Sequence, residues 1–259
     1  LRRLERVTLW PEPDLAVPGA VWTWRSAPGT LRPLLWVDRE GVEALTARPA
    51  FRTLLERLLP LGWLVMAIDV RGRGETAPRP NGRPPNPVPN SIMEAESFLA
   101  YEALVLGRPL FGMRLRDAQL AIDYLHQRKD VAREGVVLAG WGAGGHLTLH
   151  LAVLDPRVRA VATVDAPASY RALVEHERYQ YPTGGIVPGV VRGPDSPEGY
   201  EVDELAAHLD QQARPVLRLR DADHLGQPLQ PLADEALAEA LLSWLDQVSD
   251  QPSSTVAPT

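Results

Sequence analysis

The stretch VVLAGWGAGGHLTLH at 136–150 limits what this chain can fold into more than any other segment. VVLAG reads as a short strand buried on both faces, the pattern of a parallel sheet. A helix over about Ala143–Leu154 follows at once, leaving no room for an ordinary loop. The glycines at 140, 142, 144 and 145 allow a turn that residues with a β-carbon resist. A strand, a glycine turn and a helix in immediate succession point to an α/β architecture.

Three readings fit the turn. Gly140, Gly142 and Gly144 occupy the fixed positions of G-x-S-x-G, a sharp elbow that lifts a nucleophilic serine above a sheet. Here Gly142 replaces that serine. Glycine takes up the strained backbone without the usual cost of about 1–3 kcal/mol, so the turn is kept and its chemistry removed. Gly140, Gly142 and Gly145 also satisfy G-x-G-x-x-G, and Asp165 ends the next strand where a dinucleotide fold places its ribose-binding acid. Against this, strands already precede the turn and little chain follows it. The third reading is structural: the glycines permit a tight strand-to-helix connection and nothing more.

The rest of the chain supplies context. Strand-like alternation marks RVTLW (6–10), AVWTWR (20–25) and PLLWVD (33–38), and GWLVMAID (62–69) is an almost unbroken apolar run. One helix is expected over 42–59, with Leu45, Leu54, Leu55, Leu58 and Leu59 facing inward. RGRGETAPRPNGRPPNPVPN is too rich in Pro and Gly for a helix or central strand, so 70–112 reads as a loop and helical insertion over the site. Helices are expected over 91–106 and 113–128, near 201–212 and over 232–248, with a last strand at 215–221. No linker divides the strands into two sets, so residues 1–248 are expected to form a single domain. QPSSTVAPT, within 249–259, reads as a disordered tail.

Composition narrows the function classes. The net charge of −6 is spread along the chain, which argues against nucleic-acid partners. There is no cysteine, which excludes a thiol nucleophile, disulfides and Cys-based zinc sites. No apolar run approaches the roughly 18–20 residues of a membrane span, so no membrane partner is expected. LRRLERVTLW lacks the apolar core and cleavage site of a signal peptide, which makes cytoplasm the default expectation.

Four segments together carry a family resemblance. GWLVMAIDVRGRGET resembles the strand and loop of α/β hydrolases, where the strand ends in D-x-R-G-x-G-x-S/T. RLRDAQLAIDYLHQRKDV, VVLAGWGAGGHLTLHLAVLDPRVRAVATVDAPASY and PVLRLRDADH follow in that superfamily's order. The chain resembles in particular its acetyl-xylan-esterase and dienelactone-hydrolase-like branch, over roughly residues 5 to 225. The resemblance implies an α/β-hydrolase fold, with a mostly parallel central sheet and helices on both faces. It also implies backbone oxyanion donors at Ala143 and Arg39, a catalytic acid at Asp221 or Asp223, and a base at His224. The helix and strand that normally precede the histidine are missing, so the fold is expected to be shortened near its C-terminus. His224 also adjoins its own supposed acid, and neighbouring side chains tend to point apart.

Other residues were candidates for replacement chemistry. Ser169 opens a helix and reads as an N-cap. His146 and His150 are four apart on the elbow helix, a metal-binding spacing, but Leu147 stands where H-E-x-x-H has its glutamate and no third ligand is evident. The expectation is no metal, with one ring packed and the other facing solvent. Arg71, Arg73 and the arginines of 79–83 could receive an anion or could simply be solvated, and Asp69 and Arg71 resemble residues that brace the loop. The resulting expectation is an esterase-like protein without serine catalysis. It needs no cofactor and takes a small-molecule ester or carbohydrate-like ligand. An ester hydrolase with a rearranged site and a nucleotide binder are the alternatives.

Overall fold

A computed structural model describes residues 1–26, 29–78, 95–176, 180, 183–194 and 196–250. The arginines of 79–83, the start of the helix expected over 91–106 and most of the expected tail lie outside the described residues.

Seven strands form one sheet in the order β1-β2-β4-β3-β5-β6-β7. They are β1 (Arg2–Glu12), β2 (Leu15–Trp24), β3 (Arg32–Asp38), β4 (Trp63–Ile68), β5 (Val136–Trp141), β6 (Val158–Val164) and β7 (Val216–Leu219). β1 and β2 pair antiparallel, β2 joins β4 antiparallel, and every later pairing is parallel. β4 and β5 are buried along their whole length, as their continuous apolar sequences require of central strands covered on both faces.

Alternation along the strands divides the core in two. Leu35, Val37, Leu64, Met66, Ile68 and Leu138 face one way and pack with α4 (Leu110–Gln127) and α5 (Ala143–Leu154). Leu34, Trp36, Val65, Ala67, Ala139 and Trp141 face the other way and meet α2 (Pro49–Leu58) and α8 (Asp234–Asp250). The leucines expected to face inward at 45, 54, 55, 58 and 59 are all buried, as are Leu237, Leu241, Trp244, Leu245 and Val248.

The single helix expected over 42–59 is instead two, α1 (Val42–Ala47) and α2. Pro49 disfavours helical geometry at Arg48, which is extended at φ −69° and ψ 127°. Pro49 then serves as a first helical residue, where its missing N–H costs nothing. Further helices are α3 (Ala95–Val105), α6 (Tyr170–Glu175) and α7 (Val202–Gln211). After β7 the chain runs through a loop directly into α8, and no eighth strand occurs among the described residues. No helix among them is long and apolar enough to cross a membrane.

Candidate functional site

β5 ends at Trp141 and α5 begins at Ala143, so Gly142 alone makes the turn. Its φ of 58° and ψ of −125° lie where a side chain is strained and glycine is not. The turn is pinned on both sides: Gly142 donates to the Val164 carbonyl at 2.7 Å, and His146 donates to the Gly142 carbonyl at 3.2 Å. Gly144 explains the closeness of helix and sheet, since a β-carbon there would lie 2.1 Å from the Val37 carbonyl oxygen.

The space above Gly142 belongs to an arginine. A β-carbon at 142 would meet Cδ of Arg39 at 2.7 Å and its Cβ and Cγ at 3.4 Å. Arg39 comes from the loop after β3, and its guanidinium donates to Glu40 at 3.2 Å. A guanidinium is neither a nucleophile nor a base at neutral pH. The Arg39 backbone N–H donates to the Trp141 carbonyl at 3.1 Å, and the Glu40 N–H donates to Oδ1 of Asp38 at 2.8 Å. The N–H of Ala143, at the first helical position, has no intrahelical acceptor.

The acid and base candidates are engaged elsewhere. Asp221 pairs with Arg218 at 2.6 Å, and burial pushes its carboxyl up from the ordinary range. Asp223 is half-buried and accepts the N–H groups of Gln227 at 2.9 Å and Leu225 at 2.8 Å, which hold its carboxyl down. The His224 ring stacks on His176, with centroids 3.6 Å apart and planes 12° apart. No hydrogen bond joins His224 to Asp221 or Asp223 among the described residues. Ser169 caps α6, accepting the Ala172 N–H at 3.1 Å.

The histidines of α5 depart from expectation, because neither faces solvent: His146 is 1% exposed and His150 5%. α5 lies between the sheet and α4, so two residues one turn apart share an interior face. His150 Nδ1 lies 2.9 Å from the His146 carbonyl, so that nitrogen carries the proton and Nε2 is an acceptor. Nε2 lies 2.9 Å from the Tyr170 hydroxyl and 3.0 Å from that of Tyr200, and His146 Nε2 also meets Tyr170. Burial drives His146 well below its ordinary value, with the neighbouring His150 adding to the effect, and drives His150 to about 4. Both rings are therefore neutral. Apolar cavities of about 650 and 320 Å³ flank the pair, lined by His150 and Tyr200 on one side and by His146 and Tyr170 on the other.

Asp69 and Arg71 brace the loop after β4. Asp69 accepts the Val42 N–H at 2.6 Å and the Glu75 N–H at 2.9 Å. The Arg71 guanidinium is buried and paired with Asp117 at 2.6 Å and Glu12 at 2.8 Å, which corrects the expectation that it could receive an anion. Arg73 pairs with Glu96, which also binds Arg114 at 2.7 Å. The sequence reading missed Arg114, although a charged residue on the inner face of α4 between Phe111 and Ala118 was a visible signal. A cavity of about 20 Å³ beside the elbow is lined by Arg39, Phe111, Arg114, Ala143 and Gly144 among others.

On the opposite side, Trp141 lies between two arginines, with Arg48 Cζ 4.4 Å and Arg220 Cζ 5.3 Å from its ring. Its indole N–H is bonded to Asp165, which also pairs with Arg220 at 2.8 Å. Asp165 is the acid that the dinucleotide reading assigns to a ribose.

No family model matches the chain. YtaP, a candidate hydrolase of Bacillus subtilis (strain 168), is 27% identical over 136 residues, which cover 52% of this chain and 39% of YtaP. A candidate acetyl xylan esterase from Bacteroides fragilis NCTC 9343 superposes with a TM-score of 0.65 at 15% identity, over 96% of this chain and 65% of that one. A candidate dienelactone hydrolase from Klebsiella pneumoniae subsp. pneumoniae MGH 78578 gives 0.55 at 14% identity, over 97% and 100%. The chain thus spans less than two thirds of the length of YtaP and of the Bacteroides protein. The strand order, the elbow after β5 and these likenesses identify the fold as that of the α/β hydrolases.

Proposed function

We propose that this chain is a non-catalytic relative of the carboxylic-ester hydrolases, which retains a cleft for a small ester-like or carbohydrate-like molecule without cleaving it. One observation carries this reading: the nucleophile position is glycine and the side chain of Arg39 fills the space above it. Removal of a serine nucleophile costs about 10⁶ in turnover in the subtilisin case, and general-base activation of water restores only about 10²–10⁴. The candidate acid and base give no support for such activation, since Asp221 is paired with Arg218 and His224 is stacked on His176.

Incubation with p-nitrophenyl acetate and with a fluorophosphonate probe tests the reading. The expected result is no release of nitrophenol above the rate in buffer and no labelled residue. Turnover that disappears in Ser169→Ala or His224→Ala would overturn it in favour of a rearranged hydrolase.

A further inference from the structure

The two edges of the sheet differ in how they are protected. β7 is 4 residues long and half-buried, whereas β1 runs for 11 residues and no strand pairs with its outer side among the described residues. A long open edge is unusual, because its unpaired N–H and C=O groups are a template for another extended chain. From Leu4 to Trp10, β1 lacks two of the common safeguards. It has no proline there, and its bulge comes only after Leu9.

Side chains along β1 alternate. Glu5, Val7 and Leu9 turn to the side of the sheet that α4 covers, where Leu9 is buried and Glu5 pairs with Arg128 at 2.9 Å. Leu4, Arg6, Thr8 and Trp10 turn the other way and are exposed, Leu4 at 53% and Trp10 at 63%.

Two copies of β1 that pair antiparallel are related by a two-fold axis, and the pleat requires facing residues to lie on the same side. The axis therefore passes beside a residue that faces its own copy. At Glu5 or Arg6 it sets like charges against each other, and at Leu4 it sets Arg2 against Arg6. At Thr8 it leaves Leu4 facing Glu12. At Val7 no like charges meet: Leu4 faces Trp10, Glu5 faces Leu9 and Arg6 faces Thr8, each pair occurring twice. The two exposed apolar residues of the strand then cover each other.

We propose that β1 pairs with β1 of a second copy of this chain, antiparallel and in register about Val7, joining the two sheets into one. Leu4 then lies between Trp22, its neighbour in β2, and Trp10 of the second copy. Aromatic and aliphatic side chains meeting across strands give the register its preference, and the new backbone ladder supplies affinity. The elbow lies on the far side of β2, β4 and β3, so the pairing does not depend on the chemistry there.

Sedimentation equilibrium of the full chain tests the proposal. The expected mass is twice 28.5 kDa at micromolar concentration, falling toward 28.5 kDa on dilution. Trp10→Ala removes an anchor from both halves of the interface and is expected to weaken the dimer about tenfold or more. Trp10 is exposed in the single chain, so the variant should keep the wild-type circular dichroism. The chain has no cysteine, so one introduced thiol reads the register. Val7→Cys faces its own copy and is expected to form a disulfide-linked dimer under mild oxidation. Arg3 lies on the same side of the strand but faces Pro11, so Arg3→Cys is expected to stay unlinked. A mass of 28.5 kDa at every concentration would overturn the proposal. So would a dimer that Trp10→Ala leaves as tight as before, or a Val7→Cys protein linked no more readily than Arg3→Cys.

Discussion

A β-carbon on Gly142 would stand 2.7 Å from Cδ of Arg39, well inside contact distance. The arginine stem therefore occupies the volume that a nucleophile side chain would need. Gly142→Ser is expected to lose about 1–3 kcal/mol for the strained backbone, together with a steric contribution from Arg39. In an Arg39→Ala background the steric part should vanish, so the two substitutions couple favourably in a double-mutant cycle measured by urea unfolding. Additivity within about 0.5 kcal/mol would show that Arg39 yields freely.

Gly144 differs from Gly142 in what opposes it. At 142 the nearest atom belongs to a half-exposed flexible side chain, but at 144 it is the Val37 carbonyl oxygen in the central sheet, 2.1 Å away. A strand backbone cannot step aside. Gly144→Ala should therefore cost about 3 kcal/mol or more and exceed Gly142→Ala, as read from thermal unfolding by circular dichroism. A Gly144→Ala protein that melts as the wild type does would refute the close packing of α5 against β3.

The fold was legible because its signals are local. The apolar runs at 62–69 and 136–140 are β4 and most of β5, and the glycines that follow β5 sit at the elbow they predict. Residues whose partners lie far away in sequence were not legible. Nothing near Arg39 indicates that its stem covers a glycine about a hundred residues later. Nothing near His150 indicates that Tyr170 and Tyr200 would enclose it, so the solvent-facing histidine was a reasonable expectation from spacing and wrong in three dimensions. The break at Arg48 could have been read from Pro49, but the continuous run of inward leucines concealed it.

Asp165 and Arg220 both take positive φ, at 52° and 53°, and a two-pronged ion pair at 2.9 and 2.8 Å joins their side chains. Asparagine tolerates that backbone region, so Asp165→Asn removes the charge with little added strain. The expected loss is about 1–3 kcal/mol in urea unfolding, because a charge-assisted pair and the bond to the Trp141 indole both weaken. The indole N–H resonance of Trp141 should move upfield as its acceptor weakens. An unmoved resonance would show that Asp165 does not hold that ring.

The buried imidazoles should make the protein sensitive to mild acid. Burial places His150 at about 4 in the folded chain, against about 6.5 when unfolded. Above pH 6.5 neither state binds the proton and the full stability is present. As pH falls below 6.5 the unfolded chain takes up a proton that the native state refuses, so stability declines until about pH 4, where native His150 also protonates. The loss attributable to His150 is about 3 kcal/mol at the lower end, with His146 acting in the same direction. Tyr200, pushed above its usual range by burial, keeps its proton throughout. Buried Asp38 and Asp69, raised by desolvation, oppose the trend as they protonate, so total stability alone does not isolate the histidines. Urea unfolding of wild type and His150→Gln at pH 7, 6 and 5 does, because the carboxylates are common to both. The wild type should lose more stability than the variant over that range, and parallel curves would mean that His150 is free to take up its proton in the folded protein.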